Sequence, residues 1–269
     1  MGKKWLLAAA ALTVALTSFA AEIKDVRAIW LWAETVRQKG VEKVVGDLAE
    51  HHINMAIILV KGINGSTAWD SKVCLKKHTG ADILHDFAAA CKKKNIAVHA
   101  WFVVNSDAVW IAAHPEDGFY HAGSAKEPEI HPATDKPRVC PLSQNYRNYI
   151  LAMIKELASQ PDKYPIDGIH LDYIRYPHVV YCFCPNHQAK AKELGINLDN
   201  VRKYVLANGS DKEAYNKAFK SGDPDVTKWV KMRETEIEDI VKNIKAELKA
   251  TNPKLQLSAA FMPEGGGGE

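Results

Sequence analysis

The feature that most constrains this chain is a repeated change of apolar period. Short, nearly continuous apolar runs alternate with longer stretches whose apolar residues recur every three to four positions. Runs of the first kind suit strands buried on both faces, and stretches of the second kind suit helices that cover them. Their alternation is the pattern of βαβ units and a parallel sheet. Residues 26–32, 55–60, 97–104, 167–174 and 255–261 read as five strands. Helices are expected at 41–51, at 82–94 with Asp82 as cap, at 145–160 and at 227–250, the last ended by Asn252-Pro253. A long polar stretch follows the third strand, and an insertion runs from about 175 to about 225 with small helices expected near 187–194 and 212–219.

The predicted class is α/β, a (β/α)8 TIM barrel truncated after about five strands, because a closed barrel of this type needs eight. Residues 21–269 read as its N-terminal part, and the run from Gly265 to Gly268 reads as loop. An open five-strand sheet is the rival, but the long connections sit where barrel loops belong. The first 20 residues read as a secretory signal peptide: Lys3 and Lys4, an apolar stretch over 5–19, and small residues at Ser18 and Ala20. The stretch falls short of the roughly 20 residues that span a bilayer. Export to the periplasm or outside the cell is therefore expected, with no stable membrane anchor. A net charge of +3 with both signs mixed along the chain leaves no electrostatic footprint for nucleic acid.

The five cysteines are too few and too scattered for a disulfide scaffold. Cys91, beside three alanines, reads as a buried small apolar residue. Cys182, Cys184 and His187 form a C-x-C-x-x-H cluster, but a zinc site needs a fourth ligand and usually a wider cysteine spacing. A disulfide from Cys140 to one of the pair, or free thiols, is preferred, and no metal or cofactor is assigned.

In a parallel barrel the active site lies at the carboxyl ends of the strands, so chemistry is sought where a strand runs into its loop. The fourth strand continues Asp167-Gly168-Ile169-His170-Leu171-Asp172-Tyr173-Ile174-Arg175-Tyr176-Pro177. Side chains alternate, which turns Ile169 and Leu171 toward the helices and His170 and Asp172 toward the interior. Asp172 at the rim, beside Tyr173, Arg175 and Tyr176, is the leading catalytic candidate; pairing with Arg175 for structure alone is the plainer reading. Gly168 is expected to let the backbone turn. Trp32 and Glu34 after the first strand, Asn105 after the third, and His170, Tyr173, Arg175 and Tyr176 of the fourth are candidate substrate contacts, Trp32 by stacking on a sugar face. His99 reads as an interior histidine. Glycoside hydrolysis needs two carboxylates, one protonated and one ionised, and Glu264 after the fifth strand is the chosen partner, with Glu34 as the alternative.

These residues give the chain a resemblance to the bacterial glycosyl-hydrolase-like family ten, exported barrel proteins related to a hydrolase of denuded peptidoglycan glycan strands. It is carried chiefly by residues 166–177, and further by Val98-His99-Ala100-Trp101, the stretch 141–149 with Arg147, Trp229 with Arg233, and Leu257-Ser258-Ala259-Ala260. The resemblance implies a (β/α)8 barrel, hydrolysis of O-glycosidic bonds, a polysaccharide or peptidoglycan glycan as substrate, and Asp172 as catalytic residue. The chain departs from that pattern in lacking the C-terminal units and in its Cys-rich insertion. Two other functions compete. One is a carbohydrate-binding protein on a degenerate barrel; the other is a metal-dependent hydrolase using His99, His170 and Asp172.

Overall fold

The computed structural model describes residues 25–76, 78–124, 137–209 and 214–261. The expected signal peptide and Glu264 lie outside the described residues. Five strands pair in parallel and in chain order: β1 (Ala28–Trp32), β2 (Met55–Lys61), β3 (Ala97–Val103), β4 (Gly168–Asp172) and β5 (Gln256–Ala259). The order never reverses, and crossovers between parallel strands are right-handed, so every crossover helix falls on the same face of the sheet. That is the winding of successive (β/α)-barrel units, and a doubly wound sheet is excluded.

Helices α1 (Ala33–Lys39) and α2 (Val41–Glu50) follow β1, α3 (Ile83–Lys93) follows β2, and α4 (Ala108–Ala113) and α5 (Gln144–Ala158) follow β3. After β4 come α6 (Pro185–Glu193), α7 (Leu198–Asn208), α8 (Ala214–Phe219) and the long α9 (Pro224–Thr251). The main core lies between sheet and helices. Ala100, Phe102, Ile169 and Leu171 are wholly buried there against residues such as Leu84, Phe87, Met153 and Ile244. Alternation puts Trp101, Val103, His170 and Asp172 on the opposite face, and Trp101 pairs with His170 and Val103 with Asp172 in the β3–β4 register.

The sequence pattern misses α1, α4 and α7. The first buries only Val36 and has no side-chain cap, so it shows no stripe. The second spans six residues. For α7 a signal was present, since Asn197 caps it by accepting from Asn200 N–H. The insertion builds a small core of its own against the start of α9, with Phe183 stacked on Trp229 at 4.8 Å.

Two buried polar arrangements pin the strands. At the end of β2, Lys61 is wholly buried and pairs with Asp107 at 3.1 Å. Its Nζ also donates to the Val103 and Ser106 carbonyls and to the Tyr146 hydroxyl, at 3.0, 2.7 and 2.9 Å. Burial pushes the Lys61 ammonium down, and Asp107 opposes that shift. Lower on the interior face, Ser258 Oγ sits 3.0 Å from His99 Nδ1 and 2.9 Å from His170 Nδ1. Trp30 Nε1 donates to His170 Nε2 at 3.4 Å, which leaves the His170 proton on Nδ1 to donate to Ser258.

Gly168 serves close packing rather than the expected turn. A Cβ there would lie 2.7 Å from the His99 ring and 2.8 Å from the Gln256 carbonyl oxygen. Gly168→Ala is expected to cost about 1–3 kcal/mol in urea unfolding through overpacking. Gly46→Ala, inside α2 with open space around the position, should instead gain up to about 1 kcal/mol. Lys61→Met leaves Asp107 buried without its partner and should lower stability by about 3–5 kcal/mol in the same assay.

Burial pushes both His99 and His170 below the ordinary histidine value. The unfolded chain therefore takes up protons near pH 6.5 that the folded chain refuses until lower pH. Their contribution is complete above about pH 6.5 and is lost as pH falls below it toward the folded-state values. The urea midpoint should fall between pH 7.5 and 5.5, and the fall should shrink in His99→Asn/His170→Asn. Parallel pH dependences in wild type and variant would contradict this origin.

Candidate functional site

The carboxyl ends of β1 to β4 open onto a cleft of about 830 Å³, within the size range of small-ligand sites. Asp172 and Tyr173 line it from β4, Trp101 and Val103 from β3, and Trp32 and Glu34 from the end of β1. Asn64, Thr67, Lys76 and His78 close it from the connection after β2. Trp32 is 62% exposed and meets Trp101 edge to face at 6.4 Å, so two indole rings flank the entrance.

Asp172 is the last residue of β4. Its Oδ1 accepts from Tyr173 N–H at 2.6 Å and from Arg175 Nη1 at 3.3 Å. The pairing with Arg175 expected from a structural reading is thus present, yet it engages the same oxygen as the backbone bond. Both bonds fall on Oδ1; among the described residues none reaches Oδ2, and the carboxylate borders the cleft.

Tyr173 takes a left-handed backbone with φ of +57°, a state that costs a bulky residue about 1–3 kcal/mol and persists only where neighbours over-determine it. The neighbours are visible: Val104 N–H donates to the Asp172 carbonyl and Asn105 N–H to the Tyr173 carbonyl, extending the β3–β4 ladder past the strand end. The guanidinium of Arg138 lies 4.5 Å from the Tyr173 ring centre and that of Arg175 4.9 Å. Arg138 is buried, and its Nε and Nη1 have no hydrogen-bond partner among the described residues. Burial pushes its guanidinium below the ordinary value, with the nearby Arg175 adding to the shift and Tyr173 and Asp172 opposing it.

The structure therefore brings Asp172, Tyr173, Arg175, Trp32 and Glu34 to one rim and adds Arg138, which the sequence reading missed. Its only signal was a charge in the long loop after β3; a bridge between Ser106 and Arg138 sets its place. Glu34, the alternative second carboxylate, is tied to its own helix. It lies in α1, where Arg37 grips both carboxylate oxygens at 2.5 and 2.7 Å and Gln38 adds a bond. The Arg37 bonds, then Gln38, pull its carboxyl down to about 2, which keeps it ionised.

Three expected contacts lie elsewhere. His170 is buried, with Trp30 and Ser258 on its two ring nitrogens. Asn105 is buried beyond the end of β3, where strand alternation no longer applies, and lines a cavity of about 20 Å³ bordered by α5 and α9. Tyr176 turns into the insertion, where its hydroxyl meets His187 Nε2 at 2.8 Å and Arg233 covers its ring at 4.1 Å. Of the two states expected for Cys140, a disulfide or free thiols, the structure shows thiols: its sulfur lies 3.4 Å from that of Cys184 and all five cysteines are free, where a bond requires about 2.05 Å.

The fold is shared with solved glycosidases. An α-L-fucosidase isoenzyme 2 from Paenibacillus thiaminolyticus superposes with a TM-score of 0.62 at 15% identity, covering 87% of this chain and 32% of the fucosidase. A β-galactosidase from the psychrophilic Marinomonas ef1 gives 0.57 at 10% identity, covering 88% of this chain and 38% of the enzyme. A hypothetical protein from Ruminiclostridium thermocellum ATCC 27405 gives 0.54 at 15% identity over 86% of this chain and 96% of its own. The chain thus spans about a third of the fucosidase and somewhat more of the galactosidase. No curated protein sequence matches it. The sequence profile described as glycosyl hydrolase-like 10 matches residues 23–265, nearly the whole length, and the chain belongs to that family.

Proposed function

We propose that this chain carries the catalytic rim of an exported glycoside hydrolase, with Asp172 as the carboxylate that acts on an O-glycosidic bond of a polysaccharide or peptidoglycan glycan. The observation that carries the reading is the placement of Asp172: a strand-end carboxylate in a ligand-sized cleft flanked by Trp32 and Trp101. Indole faces suit the apolar faces of sugar rings. An oxygen that accepts from a backbone N–H and a guanidinium holds the carboxylate in one orientation, which suits a nucleophile or an anion that stabilises oxocarbenium charge. Arg138, buried beside Tyr173 with Nε and Nη1 unpartnered among the described residues, is fitted to bind a sugar hydroxyl or carboxylate. The signal-like first 20 residues support export.

The acid that protonates the leaving group is assigned to Glu264, which follows β5 in sequence and lies outside the described residues. Glu34, held ionised by Arg37, suits charge stabilisation or hydroxyl binding instead. The exposed Trp32 also supports a second reading, a carbohydrate-binding protein that breaks no bond.

Asp172→Asn separates the two. For a hydrolase, turnover on peptidoglycan glycan strands or on one of a panel of polysaccharides should fall by about 10²–10⁴-fold. Circular dichroism should be unchanged and glycan should still bind. Absence of product from wild type, with glycan retained equally by both proteins, would establish the binding reading instead.

A further inference from the structure

The side-chain cluster with the strongest unassigned chemistry lies behind the rim, between the loop that follows β3 and the start of the insertion that follows β4. We propose that Cys140, Cys182, Cys184 and His187 form a structural zinc site. The spacing C-x-C-x-x-H supplies three donors, and the fold brings in Cys140 from more than forty residues away as the fourth. The four ligand atoms lie within 4.8 Å of one another. Cys140 Sγ is 3.4 Å from Cys184 Sγ and 3.4 Å from His187 Nδ1, and Cys184 Sγ is 3.2 Å from His187 Nδ1. Ligands at about 2.3 Å for sulfur and 2.0–2.1 Å for nitrogen in a tetrahedron stand about 3.8 Å (S to S) and about 3.6 Å (S to N) apart, so the three close pairs would open by a few tenths of an ångström and the widest separation, up to 4.8 Å, would close by about 1 Å to seat the ion.

Three further observations favour a metal over a nest of thiols. All four residues are at most 1% exposed, so the site is closed, as structural zinc sites are and catalytic ones are not. The outer ring nitrogen of His187 has a partner in Tyr176, whose Oη lies 2.8 Å from Nε2; with the ring proton on Nε2 directed at that oxygen, Nδ1, the nitrogen facing the sulfurs, would be left to coordinate. Around the sulfurs, Tyr120 N–H donates to Cys182 Sγ at 3.4 Å, the kind of bond that supports a thiolate. Arg233 stacks on Tyr176 at 4.1 Å and places a buried cation behind a group that would carry net negative charge. Four ligands of three sulfurs and one nitrogen suit zinc in preference to magnesium or calcium, which take oxygen.

The ion would tie together segments that frame the rim. Cys140 follows Arg138 by two residues, and Tyr176, which holds His187, follows Asp172 by four. Zinc would thus fix the two loops that carry Arg138 and Arg175 to each other. The site stands independently of the hydrolase reading, since it would serve a binding protein equally.

The test is the zinc content of the full-length protein, purified without added metal and dialysed against metal-free buffer. Elemental analysis should find about one zinc per chain, as expected when binding energy is folding energy. Chelator under mild denaturation should remove it and lower the unfolding midpoint. Cobalt loading should give the intense thiolate-to-metal absorption of a tetrahedral sulfur site. Cys184→Ser and His187→Ala should lose the zinc, while Cys74→Ser, at a buried cysteine outside the cluster, should keep it. Should those variants fail to fold, the zinc content of wild type decides for the metal, and thiol titration of the denatured chain decides against a disulfide. All five cysteines should titrate as thiols once zinc is chelated. No zinc above the dialysis buffer, before or after incubation with zinc, would overturn the proposal, as would a loss of two titratable thiols to a Cys140 disulfide.

Discussion

The arrangement on which the rim depends is the buried ammonium of Lys61. A lone buried charge is strongly disfavoured, so Lys61 is tolerated only because Asp107, two carbonyls and a tyrosine hydroxyl converge on it. That convergence fixes the end of β2 against the end of β3 and against α5, from which Tyr146 also donates to the Val104 carbonyl at 2.5 Å. Asp107 in turn caps α4 by accepting from Trp110 N–H at 2.9 Å. One charge pair thereby sets where two strands stop and where the loop after β3 begins. Replacing it with apolar groups would keep the burial and lose the directional bonds that select this single arrangement.

From that anchor the rim is built by extension of the sheet beyond its formal end. Backbone bonds continue from β3 to Asp172 and Tyr173, and they hold Tyr173 in its left-handed conformation. The reversal at Tyr173 turns the following segment so that Arg175 returns to the Asp172 carboxylate while Tyr176 enters the insertion. The same short segment therefore serves the cleft at one end and the cysteine-histidine cluster at the other. Below the rim, Ser258 joins His99 of β3 to His170 of β4 across the interior face, so β5 contributes to positioning through one hydroxyl.

The site was legible where strand periodicity operates. Asp172 and Trp32 line the cleft as expected because alternation within a strand is a local rule, and the strands were marked by their apolar runs. The rule fails one or two residues beyond a strand. Asn105, two past the end of β3, is buried toward α5 and α9, and Glu34, two past the end of β1, lies in the first turn of α1 and pairs with Arg37 one helical turn on. Arg138 had no local pattern at all. It is placed by a bridge to Ser106 and by the Tyr173 ring, neither of which is near it in the chain.

The sequence by itself determined the five parallel strands, the helices that cover them and the carboxylate at the end of β4, because apolar period and side-chain parity are properties of neighbouring residues. Tertiary structure alone decided which groups meet. It gave Asp172 its arginine neighbours, turned His170 from a sugar contact into an interior hydrogen-bonding group, and brought Cys140 to Cys182, Cys184 and His187. Those encounters depend on how long loops return to the sheet, and loop return is governed by buried charge, backbone ladders and side-chain packing between segments that carry no shared local pattern.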